Sequence, residues 1–304
     1  MKALTSHGKG DIRYEDYADP TCHADTDMIV QMKACGICGS DLHIYHGAQF
    51  TGDTGFCVGH EAIGEVAETG RGVKRFKPGD KVMISAAVGC GNCRACLGGH
   101  INRCENNQMG CYGLGHALEG CQAEGIRVPM GDYNARFIPD GVSDDQALLL
   151  TDNLPTAYLG CLNADIGPGK RVAIVGLGPI GLMAVEIAKV MGAAEVYALD
   201  FVAERRERAK ALGAIPVDPA QGKAFITEAG LRGRSCRRGC EHPQCYRYCR
   251  GAGDCICDRG EPEHGFQVPD GTCLHQGAHF QDQRLLGPKP LGRTDRPCSG
   301  RTAP

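Results

Sequence analysis

The stretch RVAIVG at 171–176, running into LGPIG and then into a helical pattern, constrains this chain more than any other feature. Ile180, Ala184, Ile187, Ala188 and Met191 fall on one helical face. A short apolar strand, a glycine turn and an amphipathic helix in that order predict the first unit of a doubly wound parallel sheet that takes a dinucleotide. Gly176, Gly178 and Gly181, in GLGPIG with Pro179 and Ile180, allow the tight turn, the close approach of a pyrophosphate and close helix–strand packing. The helix start favours phosphate charge. EVYALD at 195–200 reads as a second strand, VAERRERAKALG at 202–213 as a charged surface helix and IPVD at 215–218 as a third strand. QGKAFITEAG begins a further helix. Asp200 ends the second strand 19 positions after Gly181. An acid there hydrogen-bonds the adenosine ribose and repels a 2′-phosphate, so NAD is expected over NADP. Arg205 and Arg206 are expected on a solvated helix face.

Residues 1–150 read differently. MIVQMKA, EAIGEVAE and DKVMISAAV are short strand-like stretches separated by Gly, Pro and Asp, and KPGD at 77–80 is a turn between two of them. This predicts an all-β domain, a barrel or sandwich.

Four cysteines stand within that domain at C-x2-C-x2-C-x7-C spacing: Cys90, Cys93, Cys96 and Cys104. Four thiolates in one short lobe match a closed, structural zinc site. An iron–sulfur cluster and a disulfide cluster are the alternatives. A second group is scattered. Cys38, Ser40, Asp41 and His43 lie in GICGSDLH, His60 and Glu61 in GHE, and Asp152 in TDNLPT. Cys38, His60 and Asp152 would give the three protein ligands of a catalytic zinc, with Asp41 on the second nitrogen of His60. Spacing alone leaves the bland alternative open, a packed cysteine and hydrogen-bonded loop residues.

Taken together and in this order, GICGSDLH, GHE, the four-cysteine lobe, TDNLPT and VGLGPIG followed by Asp200 resemble the zinc-dependent medium-chain alcohol dehydrogenase family, over about residues 1–227. The resemblance implies a GroES-like catalytic domain, a β-barrel at 1–152, then a Rossmann domain that is incomplete at 153–227, with the site between them. It implies one catalytic and one structural zinc, and NAD. It carries the catalytic ligands to Cys38, His60 and Asp152, and the structural ones to Cys90, Cys93, Cys96 and Cys104. Glu61 would approach the metal, Ser40 would take the substrate proton, His43 would pass it to solvent, and Thr156 would lie beside the nicotinamide. The expected reaction is oxidation of a primary or secondary alcohol to an aldehyde or ketone, with hydride passing to NAD. Polyols and formaldehyde-type substrates are rivals. Family members form homo-oligomers.

The pattern breaks at about 228. Residues 1–227 carry 21 Lys and Arg against 27 Asp and Glu, whereas 228–304 carry 12 against 9, and 11 of those 12 bases are Arg. Only nine of these last 77 residues are Val, Ile, Leu, Phe or Met, too few for a packed core. Three strands are visible where a Rossmann domain needs about six. We read 228–304 as an irregular, unfolded or frameshifted tail, because Ala/Val/Gly codons in GC-rich DNA yield Arg, Cys, Gly, Pro and His out of register. The rival is a Cys/His-rich extension that binds metal or nucleic acid. The expected interface strand and nicotinamide wall are missing from this stretch. Little or no activity is therefore expected of the chain as written, with a non-catalytic zinc-binding remnant as the alternative function. A net charge of −3 gives no reason to expect a nucleic-acid partner, and no run reaches about 18 apolar residues as a membrane span requires. With no apolar leader at the start, a cytoplasmic location is expected.

Overall fold

A computed structural model describes residues 1–47, 51–106 and 110–221, together with the backbone of 255–257. In chain order the first half comprises β1 (Lys2–Gly8), β2 (Asp11–Asp16), β3 (Met28–Cys35), α1 (Gly39–Tyr45), β4 (Phe56–Cys57), β5 (Ala62–Thr69), β6 (Lys81–Ile84), α2 (Arg94–Leu97), β7 (Gly125–Val128), α3 (Gly131–Asn134), β8 (Ala135–Phe137) and α4 (Asp144–Leu149). The second half comprises α5 (Asn153–Asn163), β9 (Arg171–Val175), α6 (Pro179–Val190), β10 (Glu195–Leu199), α7 (Ala203–Ala211), β11 (Ile215–Val217) and β12 (Cys255–Cys257).

The first half is built on a five-stranded antiparallel sheet of order β7-β3-β5-β6-β8 and a three-stranded sheet of order β2-β1-β4. One face of the larger sheet is apolar: Val30 pairs with Val66 and Ala62 with Ile84, and Met28, Val82, Ile126 and Val128 complete its core. The expected turn at 77–80 forms, with Gly79 at φ +90 and the Asp80 N–H donating to the Lys77 carbonyl. The barrel expectation is corrected in one respect: among the described residues the strands do not close. An isolated bridge, Ala3 to Ala123, lies between the two sheets, β4 is two residues long, and β3 is bulged at Ile29/Val30 and Met32/Ala34. Ser143 starts α4 with a capping box: its Oγ accepts the Gln146 N–H, and its own N–H donates to the Gln146 side chain. This short helix delivers the chain to Asp152.

The second half is the parallel sheet read from the sequence. All pairs are parallel, and the order β11-β10-β9-β12 places β10 and β12 on opposite sides of β9, so the strand order switches between β9 and β12, where such sheets bind ligands at their carboxyl ends. β9 is buried on both faces through Val172, Ala173 and Ile174, as a parallel strand requires. On α6, Ile180, Ala184, Val185 and Ala188 are buried against it, and Ile187 and Met191 cover the edge of the same cluster. Each large apolar side chain buried here contributes about 1.5–3 kcal/mol. Three strands match those expected; β12 is a fourth, within the stretch expected to hold none. Three residues, Cys-Ile-Cys, are too short to show an alternation. The helix expected from 221 and the rest of the 228–304 tail lie outside the described residues.

Candidate active site and metal centre

Three separated segments converge at the carboxyl edge of β3. Cys38 caps the start of α1, His60 and Glu61 precede β5, and Asp152 stands at the head of α5. One ligand atom from each of Cys38, His60, Glu61 and Asp152 lies within 4.8 Å of all the others. Asp152 Oδ2 is 3.6 Å from Cys38 Sγ and 3.5 Å from His60 Nε2. His60 Nδ1 points the other way, 3.5 Å from Asp41 Oδ1, and neither of these buried atoms has a hydrogen bond. Asp41 is itself fixed, since its Oδ2 accepts the Cys38 N–H at 2.9 Å. The imidazole thus presents Nε2 to the cluster and Nδ1 to a carboxylate, the arrangement that orients metal-binding histidines.

The electrostatics suit a cation. Burial alone would lower the His60 pKa, but Asp152 and Cys38 outweigh it and hold the imidazole well above its usual value. Burial pushes Asp152 up, yet its bond to His60 leaves it below the usual carboxylate range. Burial, then the Asp152 charge, pushes Glu61 up to about 7, and burial raises Asp41. Thiolate, imidazole and carboxylate are the donor types zinc takes in catalytic sites, so the residues present fit the metal.

Ser40 Oγ lies 4.0 Å from Cys38 Sγ, at the mouth of this cluster. His43 follows three residues later on α1, so the two side chains share a helix face. No hydrogen bond joins them among the described residues. The Thr156 hydroxyl donates to Asp152 Oδ1 at 3.3 Å, which ties it to the metal-ligand candidates.

The four-cysteine lobe closes as its spacing requires. Cys90, Cys93, Cys96 and Cys104 also bring one sulfur each within 4.8 Å of the others, and no disulfide joins them. Peptide N–H groups point at the sulfurs: that of Cys96 at Cys93 and that of Cys90 at Cys104, with the Asn106 amide on Cys90. Backbone donors at Asn92 lower the Cys90 thiol to about 6 and those at Cys96 lower Cys93, whereas burial lifts Cys104 to about 11. The lobe is moored by α3. Buried Asn134 accepts the Gly89 N–H and donates to the Gly89 carbonyl, both at 2.9 Å, and the Tyr133 hydroxyl donates to the Cys96 carbonyl.

At the glycine turn, Gly176 has φ +89, open to glycine at no steric cost. Gly178 caps α6 and Pro179 opens it, a position where its missing N–H is harmless. Ile180, expected at the cofactor, has its side chain in the core, so only its backbone faces the turn. Asp200 is buried, and its carboxylate accepts the Leu177 N–H at 2.7 Å and the Val202 N–H at 2.8 Å. It therefore pins the glycine turn to the end of β10, and each oxygen keeps a second lone pair for a ribose hydroxyl. The two arginines separate in role. Arg205 is 43% exposed, 3.7 Å from Asp200. Arg206 does not lie on the solvated face: it is 15% exposed, donates to the Asp200 and Phe201 carbonyls and pairs with Asp218.

Sequence reasoning missed Asn153, whose amide donates to Glu61 Oε1 at 2.6 Å, and the mooring residues Tyr133 and Asn134. Asn153 had one available signal, its adjacency to Asp152.

Residues 24–136 match the alcohol dehydrogenase GroES-like domain family, and residues 179–228 match the zinc-binding dehydrogenase family. The medium chain reductase/dehydrogenase ucsI of an Acremonium species is 38% identical over 235 residues, covering 75% of this chain and 80% of that protein. Zinc-type alcohol dehydrogenase B of Aspergillus flavus is 35% identical over 222 residues, covering 71% of this chain and 51% of that one. Among solved structures, alcohol dehydrogenase TADH from Thermus sp. ATN1 superposes with TM-score 0.72 at 34% identity, covering 86% of this chain and 71% of that one. The 2R,3R-butanediol dehydrogenase of Bacillus subtilis gives 0.69 at 29%, covering 88% and 79%. The chain spans between about half and four fifths of the length of the first curated relatives it matches. Among the described residues no helix is long and apolar enough to cross a membrane.

Proposed function

The chain belongs to the zinc-binding, medium-chain alcohol dehydrogenase family, and we propose that it derives from an enzyme that oxidises a primary or secondary alcohol to the aldehyde or ketone with NAD. The observation that carries this reading is the convergence of Cys38, His60 and Asp152, with Glu61 in reach, from three distant segments. Those residues would hold one zinc, and Cys90, Cys93, Cys96 and Cys104 a second with no position left open. When bound, zinc makes an alcohol hydroxyl far more acidic and the nicotinamide accepts the hydride. This chain's residues supply the rest. Ser40, beside Cys38, takes the hydroxyl proton, and His43, one turn along α1, hands it to solvent. Asp41 faces Nδ1 of the His60 ring at 3.5 Å, and Thr156 holds Asp152 through its hydroxyl. Gly176, Gly178, Pro179 and Gly181 shape the turn that receives the pyrophosphate, with the Ile180 backbone, and Asp200 offers its free lone pairs to the ribose.

Secondary alcohols are the favoured class; the butanediol dehydrogenase matched above bears such hydroxyls on its named substrate. No disulfide joins the eleven cysteines whose side chains are described; zinc-binding thiolates such as those of the four-cysteine lobe belong to a reducing compartment, and the cytoplasm is the location we propose. We read residues 228–304 as out of frame, and sequencing the coding DNA across codons 220–240 with an intact mass tests that. The functional test uses the mass-verified, zinc-loaded chain. NADH formation at 340 nm is followed over a panel of primary and secondary alcohols, beside Ser40→Ala. Alcohol-dependent NADH that Ser40→Ala loses without losing zinc supports the dehydrogenase. Full zinc content with neither NADH formation nor NAD binding supports the zinc-binding remnant instead.

A further inference from the structure

Glu61 is a third carboxylate beside Asp41 and Asp152; it is buried like Asp41, whereas Asp152 is half-buried. Like charges at such range repel, so something must keep this carboxylate turned inward. Two features do so from opposite sides. The Asn153 amide donates to Glu61 Oε1 at 2.6 Å. On the other side the Glu61 side chain lies across Gly36: a Cβ placed there would sit 1.8 Å from Oε2 and 2.9 Å from the Glu61 Cβ and Cδ. Gly36 does not have a positive φ, so glycine is needed here for space rather than for conformation. The two backbones are locked together, since the Gly36 N–H donates to the Glu61 carbonyl and Gln122 donates to the Gly36 carbonyl.

We propose that Asn153 is a positioning residue that holds the Glu61 carboxylate among the metal-ligand atoms of Cys38, His60 and Asp152, in a berth that the missing side chain of Gly36 leaves open. The proposal rests on the reading of that cluster as a zinc site. With Asn153 silenced, Glu61 turns away from the other carboxylates, the cluster loses negative charge next to the cation, and the zinc is held less firmly.

The test is zinc release from the full, zinc-loaded chain to the chromogenic chelator 4-(2-pyridylazo)resorcinol. Cys38→Ser and Cys93→Ser each remove one release phase and so assign the two sites. Asn153→Leu, which keeps the volume and removes the donor, should speed release from the Cys38 site about 10–100-fold, the usual scale for losing a partner behind a ligand. The four-cysteine phase, unchanged, reports that the fold is intact. Gly36→Ala should have the same effect and decides the matter if Asn153→Leu does not fold. In a Glu61→Gln background Asn153→Leu should change the rate by less than about twofold, because both act through one carboxylate. A wild-type release rate in both Asn153→Leu and Gly36→Ala, or an Asn153→Leu effect that persists in full without Glu61, overturns the proposal and leaves the zinc reading standing. A Cys38→Ser chain that loses no phase overturns both.

Discussion

Asn134 moors the four-cysteine lobe, and replacing it with alanine should both destabilise the chain and loosen that lobe. The side chain is 1% exposed and bonds to four backbone groups: it accepts from the Gly89 N–H at 2.9 Å and donates to the carbonyls of Gly89 at 2.9 Å, Pro129 at 2.8 Å and, at the longer distance of 3.5 Å, Met130. Alanine reaches none of them. A buried N–H left without an acceptor costs about 1–3 kcal/mol, and each neutral hydrogen bond lost by a carbonyl about 0.5–1.5 kcal/mol. The sum is about 4 kcal/mol, a large part of the roughly 5–15 kcal/mol that stabilises an ordinary domain. With a urea slope of about 1–3 kcal/mol per molar, the midpoint should fall by about 1 M or more. Asn134→Asp should not rescue the loss, because it keeps the acceptor and removes both donors. In the same samples the chelator should draw zinc from the four-cysteine site faster while the Cys38 site keeps its rate. A midpoint within about 0.3 M of wild type, below about 1 kcal/mol, would refute the reasoning that this one side chain carries the mooring.

Two further outcomes follow from the geometry. Both ring nitrogens of His116 face acceptors, Glu119 Oε1 at 2.9 Å and the Thr54 carbonyl at 3.0 Å, and the Glu119 bond raises its pKa. The stabilisation is therefore complete below the ordinary histidine value of about 6.5 and fades as pH rises through the raised value. Because the side chain is 51% exposed, the effect should stay within a few tenths of a kcal/mol; His116→Gln should flatten the stability–pH curve between pH 6 and 8, and an unchanged slope would contradict the assignment. Asp200→Asn should lose one of the two backbone bonds at the glycine turn, costing about 1.5–3 kcal/mol in thermal unfolding. Fluorescence titration should show weaker NADH binding and a smaller preference over NADPH, while an unchanged ratio would mean that Asp200 is only a turn anchor.

What the sequence revealed was what lies close together along it. The four cysteines fall within 15 residues, and GLGPIG sits directly between a strand and a helix, so local geometry nearly dictates the lobe and the turn. Cys38, His60 and Asp152 are separated by the β-domain, and no spacing rule states that they meet; within the sequence only the family resemblance joins them. Single polar residues such as Asn134 and Asn153 belong to no periodicity, and their importance appears only with the backbone groups they face. Arg206 looked like one charge among many on α7, yet the end of β10 and Asp218 fold over it. The open arrangement of the two sheets is equally hidden, because the apolar alternation of the strands carries no sign of features such as the bulges in β3. In the tail, composition spoke against a core but could not register the three residues of β12.

The central claim is that this chain holds zinc at two separate centres, one of them built from Cys38, His60 and Asp152. The zinc content of the purified full chain, measured by inductively coupled plasma mass spectrometry against protein mass, tests it most directly. The account predicts two zinc ions per chain, one fewer in Cys38→Ser, one fewer in Cys93→Ser, and none when both are changed. A Cys38→Ser chain that is folded and still holds as much zinc as wild type would contradict it.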